Sequence, residues 1–131
     1  MPHFSIEYSA NLEPDVDMAA LCDLLRQTAI QTGVFPMAGV RVRAIAVDHH
    51  AIADGDGAHG FLDLSVRLRA GRPLDVRKAA TAEIFNALEA FLAPVMEKRP
   101  IAVSMEMRDI DPELSPKTGS IRRFLKENEN D

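Results

Sequence analysis

Pro2, immediately behind Met1, is the residue of this chain best suited to unusual chemistry. Methionine before a small residue such as proline is normally removed, and its removal leaves Pro2 with a free secondary amine. Such an amine can hold or release a proton near neutral pH if its surroundings lower its pKa. The alternative is structural, because proline at the first position of a strand loses no ladder hydrogen bond. Pro2 is therefore a candidate acid-base catalyst with a structural alternative.

Two arginines follow glycine-containing turns and are candidate ligands for an anionic substrate. Arg41 follows Gly39 after one residue, and Arg72 follows Gly71 directly. A guanidinium stays charged and grips a carboxylate through two parallel hydrogen bonds, so arginines at turns beside a sheet suit a small dianionic substrate. Arg43 belongs to a strand pattern, where it is solvated or interfacial, and it could support Arg41.

Other residues whose side chains could take part in chemistry are better explained by structural roles. A loop carries three histidines and several aspartates that superficially resemble metal ligands, but their spacing matches no zinc signature, so we predict no metal site. The serines lack a base at a recognisable spacing, and Cys22 lies among leucines in a helical pattern, as a core thiol does. The residues with this resemblance are His49, His50 and His59 with Asp48, Asp54 and Asp56 of the loop and Asp63 of the strand pattern that follows.

The elements that must position these residues alternate between strand and helix patterns. Strand segments alternate apolar and polar residues, whereas helical segments repeat apolar residues at steps of three and four. Asp15 and Asp17 are capping candidates for the first helix, and Gly33 is its stop signal. Pro94 should kink or end the second helix. The predicted order is a strand over 2–8, a helix over 18–29, strands over 40–47 and 61–69, a helix over 73–98 and a strand over 101–108.

This order predicts an α+β fold made of a doubled β-α-β unit. We expect one four-stranded mixed sheet with two helices on one face, in a single domain over 1–131. The halves are 2–58 and 59–109, and a polar C-terminal extension follows over 110–131. The buried side of the second helix should comprise Ala79, Ile84, Leu88, Phe91, Leu92 and Val95.

The other sheet face should be covered by another subunit. Ile45 and Val47 share a strand face with Arg41 and Arg43, a mixed surface that is better explained by packing than by open water. The apolar residues of the extension, Ile121, Phe124 and Leu125, should dock on a neighbour or on the core. The sequence therefore predicts an oligomer.

Composition excludes several classes of partner. The 131 residues carry a net charge of −5, so a nucleic-acid partner is not expected, because phosphate binding needs a surplus of Lys and Arg. No apolar run approaches the roughly 18 residues of a membrane span, and no basic start precedes an apolar stretch. We expect a soluble, cytoplasmic protein with no membrane partner.

Several motifs, taken with their spacing, resemble a known family. They are the opening Pro2-His3-Phe4, the run 32–43 (TGVFPMAGVRVR), the triplet Ala53-Asp54-Gly55 and the turn 70–74 (AGRPL). They are similar to the 5-carboxymethyl-2-hydroxymuconate isomerases, a branch of the tautomerase superfamily whose members use an amino-terminal proline. The resemblance extends to about Asp111 and departs in the loop 48–59 and in the tail.

The resemblance implies a cofactor-free homotrimer acting on a small carboxylate substrate in bacterial homoprotocatechuate breakdown. Pro2 would take a proton from the 2-hydroxyl of a dienoate and return one to carbon, while Arg41 and Arg72 hold carboxylates or the developing oxyanion. Arg43 and Phe4 complete the substrate-binding candidates, with Phe4 and Ile6 as a low-dielectric wall. The alternatives are another tautomerase or decarboxylase activity on a related 2-oxo acid and a non-catalytic trimeric binding protein of the same fold.

Overall fold

The computed structural model describes residues 1–126. Its four strands form one mixed sheet in the order β2-β1-β3-β4, with β1 parallel to β2, β3 parallel to β4, and the central β1–β3 pair antiparallel. The doubled β-α-β pattern is therefore confirmed. The elements are β1 (His3–Ser9), α1 (Met18–Gln31), β2 (Arg41–Val47), β3 (Gly60–Arg69), α2 (Leu74–Met96) and β4 (Ile101–Ile110), with short 3₁₀ turns at Ala10–Leu12, Met37–Gly39 and Arg122–Phe124.

Helix α1 begins and ends where its sequence signals indicate. The Asp17 carboxylate caps the first turn by accepting a hydrogen bond from the backbone N–H of Ala20 at 3.0 Å. Gly33, two residues beyond the helix, has a φ of 73°, which glycine adopts without steric cost. The chain therefore leaves the helix at the predicted place.

Helix α2 runs past its internal proline. Pro94 lies in the last turn, two residues before the end of the helix, which is at Met96 rather than at Lys98. Its buried side includes Ile84, Leu88 and Leu92 as predicted, but the prediction for Ala79 was wrong. Ala79 is exposed, and Ala80 is the alanine that faces the sheet.

Helix α2 is also long and apolar enough to meet a length-and-composition test for a membrane span. Its packing gives a different explanation for the apolar residues. Ile84, Leu88 and Leu92 have no exposed surface and lie against the sheet, while Glu83 and Glu89 lie on the exposed side. An amphipathic helix of this kind is typical of a protein core.

One continuous core joins both halves of the chain on the helix side of the sheet. The even-numbered residues of β1 and β3 point into it, and Phe4, Ile6, Leu62, Leu64 and Val66 are fully buried. The opposite, open face carries the odd-numbered residues of β1, β2 and β3 and the even-numbered residues of β4 from Ala102 to Arg108, so most of the polar and charged side chains of the sheet lie there. Pro2 precedes β1 at the end of the sheet where β2 also begins and where β3 and β4 end.

Candidate active site

A cleft of about 240 Å³ opens beside the N-terminus, at the end of the sheet just described. One wall is the turn that leads into β2, and the other is the C-terminal segment, which returns to this place after β4. A wider groove of about 800 Å³ lies between α2 and β4, but its lining is mostly apolar and contains neither Pro2 nor the candidate arginines. The cleft is lined by Met1, Pro36, Ala38, Gly39, Arg41, Lys117, Thr118, Gly119, Ile121 and Arg122.

Pro2 is buried beneath this cleft, against a glycine. A Cβ added at Gly39 would lie 3.0 Å from Cδ of Pro2 and 3.3 Å from Cα of Met1. Cδ is bonded to the prolyl nitrogen, so the turn at Gly39 packs directly beside the atom that would do the chemistry. Glycine at this position allows an approach that would be a few tenths of an ångström too close for a side chain.

The N-terminal amine lies in a partly buried, cationic environment. The pKa of the Met1 amino group is lowered from its ordinary value of 8.0, first by burial and then by the charges of Lys117, Arg72, Arg41 and Arg69, in that order. Burial and positive neighbours both disfavour a protonated amine. Because Met1 is bonded to Pro2, a Pro2 amine exposed by loss of Met1 would be surrounded by the same charges.

Arg72 is held by two backbone carbonyl groups, one in the segment between α1 and β2 and one at the end of β3. Its Nε donates to the carbonyl oxygen of Val34 at 3.1 Å, and its Nη1 donates to that of Arg69 at 3.1 Å. Gly71, with a φ of 126°, allows the turn that presents it. These two hydrogen bonds fix the orientation of the guanidinium group and leave its Nη2 available to donate to a further acceptor.

Arg41 lies at the start of β2 and lines the cleft directly. Its Nε donates to the carbonyl oxygen of Gly39 at 3.2 Å, and its side chain is exposed. The structure therefore brings Arg41 and Arg72 to the same amine from two different turns. That is the arrangement that the two glycine-arginine turns suggested.

Arg43 lies elsewhere. Its Nη1 is 3.3 Å from Nδ1 of His3 on the open face of the sheet, and it does not line the cleft. The pKa of His3 is lowered by burial and then by Arg41, Arg67 and Arg43, so its neutral ring accepts this hydrogen bond. Within one chain, Arg43 is thus a partner of His3, and its role as a substrate ligand stays a prediction.

Phe4 corrects the prediction of a substrate contact. Its ring has no exposed surface, and it packs edge-on against Phe35 with ring centroids 5.6 Å apart. Ile6 is also fully buried. Strand alternation placed Phe4 on the face of Pro2 correctly, but α1 and its following turn cover that face, so Phe4 supports the strand from within the core.

The histidine-containing loop lies at the opposite end of the sheet. His59 pairs with Asp54 through Nε2 and Oδ1 at 2.7 Å, and Arg99 donates to the carbonyl oxygen of Ala58 at 3.2 Å. Over residues 1–126, no three His, Cys, Asp or Glu side chains are grouped so that they could hold a metal ion. Within one chain the loop does not border the cleft at Pro2.

Lys117 is the residue that sequence reasoning missed. It lines the cleft, and among the charged groups it lowers the pKa of the terminal amine most. In the sequence it is a single lysine in a polar tail, with no periodicity or motif around it. Its position beside the terminal amine becomes apparent only from the course of the chain after β4.

A buried N-terminal proline beneath a cationic cleft, on two β-α-β units that share one sheet, defines a protein of the tautomerase fold. A fused 4-OT protein solved as a symmetric trimer has this fold, with a TM-score of 0.67 at 18% identity over 88% of this chain and 93% of that one. Residues 2–125 match the family described as 5-carboxymethyl-2-hydroxymuconate isomerase. The chain belongs to this family.

Two relatives agree with this assignment. The 5-carboxymethyl-2-hydroxymuconate Delta-isomerase of Escherichia coli is 32% identical over 126 residues, which is 96% of this chain and all of that protein. A solved structure of a 5-carboxymethyl-2-hydroxymuconate delta-isomerase superposes with a TM-score of 0.90 at 32% identity, covering 99% of this chain and 96% of its own. The resemblance read from the sequence motifs is thereby confirmed, and with it the class of the enzyme as an isomerase.

Proposed function

We propose that this protein isomerises 5-carboxymethyl-2-hydroxymuconate to its 2-oxo form, with Pro2 as the acid-base catalyst and no cofactor. The observation that carries the proposal is the position of the terminal amine. It lies at the cleft, where burial first and then the charges of Lys117, Arg72 and Arg41 lower its pKa, in a chain of the isomerase family. The reaction belongs to bacterial homoprotocatechuate breakdown.

The chemistry begins with loss of Met1, because the amide that joins Met1 to Pro2 is not basic. The neutral Pro2 amine then takes the proton of the substrate 2-hydroxyl, and the electrons move through the conjugated chain. The resulting prolyl ammonium returns a proton to a carbon further along that chain. Nothing is added or lost, so one amine serves as base and acid, which requires a pKa near the working pH.

The two arginines have two effects in this proposal. Each offers a guanidinium to a substrate carboxylate or to the oxygen that gains charge in the transition state. Each also disfavours the protonated amine in the free enzyme. One unit of pKa lowering corresponds to roughly 1.4 kcal/mol, and the charges of several cations would add to burial in moving the pKa of a secondary amine toward neutral pH.

We also propose that the protein works as a homotrimer. Several large apolar side chains are exposed in the single chain, including Ile45 at 50%, Ile121 at 59% and Phe124 at 76%. The edges of β2 and β4 are unpaired among the described residues, and the open sheet face is mixed in character. Covering such edges and patches with further copies is a common solution. Light scattering should give three times the mass of one chain, and a monomer would contradict this proposal.

The catalytic proposal is tested by Pro2→Ala, after intact-mass measurement has confirmed loss of Met1 from both proteins. The variant retains a primary amine of different basicity, so we expect a lower kcat/KM for 5-carboxymethyl-2-hydroxymuconate and a displaced pH profile. Equal kcat/KM and an identical profile would remove Pro2 from the mechanism. Retention of Met1 in an active wild-type protein would have the same consequence.

A further inference from the structure

The C-terminal segment forms one wall of the cleft at Pro2, and the structure shows how it returns there. Strand β4 ends at Ile110, whose carbonyl oxygen accepts a hydrogen bond from the N–H of Ala70 at 3.1 Å. Asp111 then closes a turn, its carboxylate accepting from the N–H of Glu113 at 2.9 Å and its carbonyl oxygen from the hydroxyl of Ser115 at 2.5 Å. After this turn, Lys117 to Arg122 contribute half of the residues that line the cleft.

Three cations therefore converge on the N-terminal amine from three separate parts of the chain. Arg41 comes from the start of β2, Arg72 from the turn after β3, and Lys117 from the segment after β4. All three positions lie at the same end of the sheet, because β1 and β2 begin there while β3 and β4 end there. Arg69 also contributes, but less than the other three. Of these four cations, Arg41 and Lys117 line the cleft itself, and Arg72 acts on the amine from beside it.

The charge of the proposed substrate matches this count. A muconate has two carboxylates, and a carboxymethyl group adds a third. Two guanidinium groups account for two of them, because each can pair with one carboxylate. The remaining carboxylate needs a further cation within the cleft.

Resting on the proposed function, we infer that Lys117 binds the third carboxylate and thereby makes the enzyme selective for a tricarboxylate over a dicarboxylate. Lys117 is a substrate-positioning residue, and the C-terminal segment is part of the substrate site. Arg122 also lines the cleft, but Lys117 affects the terminal amine more strongly than any other cation does. A flexible ammonium suits a carboxylate on a flexible methylene arm, where a fixed bidentate geometry is not needed.

The test compares two substrates in three proteins. We expect Lys117→Gln to lower kcat/KM for 5-carboxymethyl-2-hydroxymuconate about tenfold and to leave kcat/KM for 2-hydroxymuconate, which lacks the third carboxylate, nearly unchanged. Lys117→Arg keeps the charge and should restore most of the selectivity. Lys98→Gln is the matched control, because Lys98 follows α2 at the opposite end of the sheet and should change neither rate.

A second readout does not depend on turnover. Removing one positive charge beside the amine should raise its pKa, so the NMR titration of the Pro2 nitrogen should move to higher pH in Lys117→Gln but not in Lys117→Arg. An unchanged ratio of the two kcat/KM values in a folded Lys117→Gln protein would overturn the role of Lys117 while leaving the proposed function intact. If the wild-type protein isomerised neither substrate, the proposed function would fail, and this assignment would fail with it.

Discussion

Gly39 gives the sharpest test of the geometry around Pro2, because a single methyl group there would press on the ring of this proposed catalyst. A Cβ at this position would lie 3.0 Å from Cδ of Pro2, whereas ordinary contacts begin at 3.4 Å, so the ring must move by about 0.4 Å. A misplacement of about 1 Å can cost roughly 100-fold in rate. If the logarithm of the rate loss is proportional to the displacement, a shift of about 0.4 Å predicts a loss of about sixfold in kcat/KM for Gly39→Ala.

The fold should tolerate this substitution. Gly39 ends a short 3₁₀ turn without the positive φ that would strain an alanine, and the prolyl ring stands at a chain terminus that can yield. We expect the free energy of unfolding to fall by about 1 kcal/mol at most, at the lower end of the usual cost of overpacking. The activity loss should therefore appear at temperatures well below the melting transition.

The assay is the disappearance of the dienol absorbance under steady-state conditions, with thermal melting and intact mass measured on the same samples. Gly57→Ala is the matched control, because a Cβ at Gly57 meets nothing within 4 Å and the residue lies in the loop far from the cleft. A folded Gly39→Ala protein that has lost Met1 and keeps full kcat/KM would refute the placement of the reaction at the Pro2 ring.

Two further predictions concern side chains near the site. The pKa of His3 lies below its ordinary 6.5 because of burial and nearby arginines, so the unfolded chain binds more protons than the folded one just below pH 6.5. The stability that the protein gains from neutral His3 is complete above pH 6.5, and it is lost as the pH falls from 6.5 toward the pKa of His3 in the folded protein. Between pH 7 and 5, Tm should therefore drop less in His3→Gln than in the wild type. An equal drop would contradict the lowered pKa of His3. The second prediction concerns Arg72→Lys, which keeps the charge but loses the two hydrogen bonds to the carbonyl groups of Val34 and Arg69. We expect kcat/KM to fall by more than tenfold although the pKa of the terminal amine changes little. A fully active variant would show that only the charge of Arg72 matters.

Local patterns predicted the fold well because each strand and helix has a clear period. Alternation alone placed Phe4 and Ile6 on one face of β1, and the cores of β3 and α2 follow the same logic. The error at Ala79, which was predicted to be buried, shows the limit of a helical pattern in which alanines occupy neighbouring positions. Alanines carry too little apolar surface for the period to distinguish 79 from 80.

The site was partly predictable for a different reason. Arg41 and Arg72 follow turns, and turns at one end of a sheet are close in space once strand directions are known. The error at Phe4 arose because alternation assigns a face without saying whether that face is open. Lys117 had no signal, since its position depends on how residues 111–115 turn after β4.

In the proposed mechanism, the same cations that would hold the substrate would also set the strength of the base, and the two effects would change together during binding. In the free enzyme, burial and then the charges of Lys117, Arg72 and Arg41 disfavour a protonated terminal amine, which would keep a Pro2 amine ready to accept a proton. When carboxylates pair with these cations, their positive field at the amine is partly cancelled, and the amine becomes more basic at the moment it must take the 2-hydroxyl proton. A ligand with fewer carboxylates would cancel less of this field. Substrate charge would thus govern the basicity of the catalyst as well as the affinity of the site, and placing the third cation on the C-terminal segment would make that segment part of the acid-base machinery.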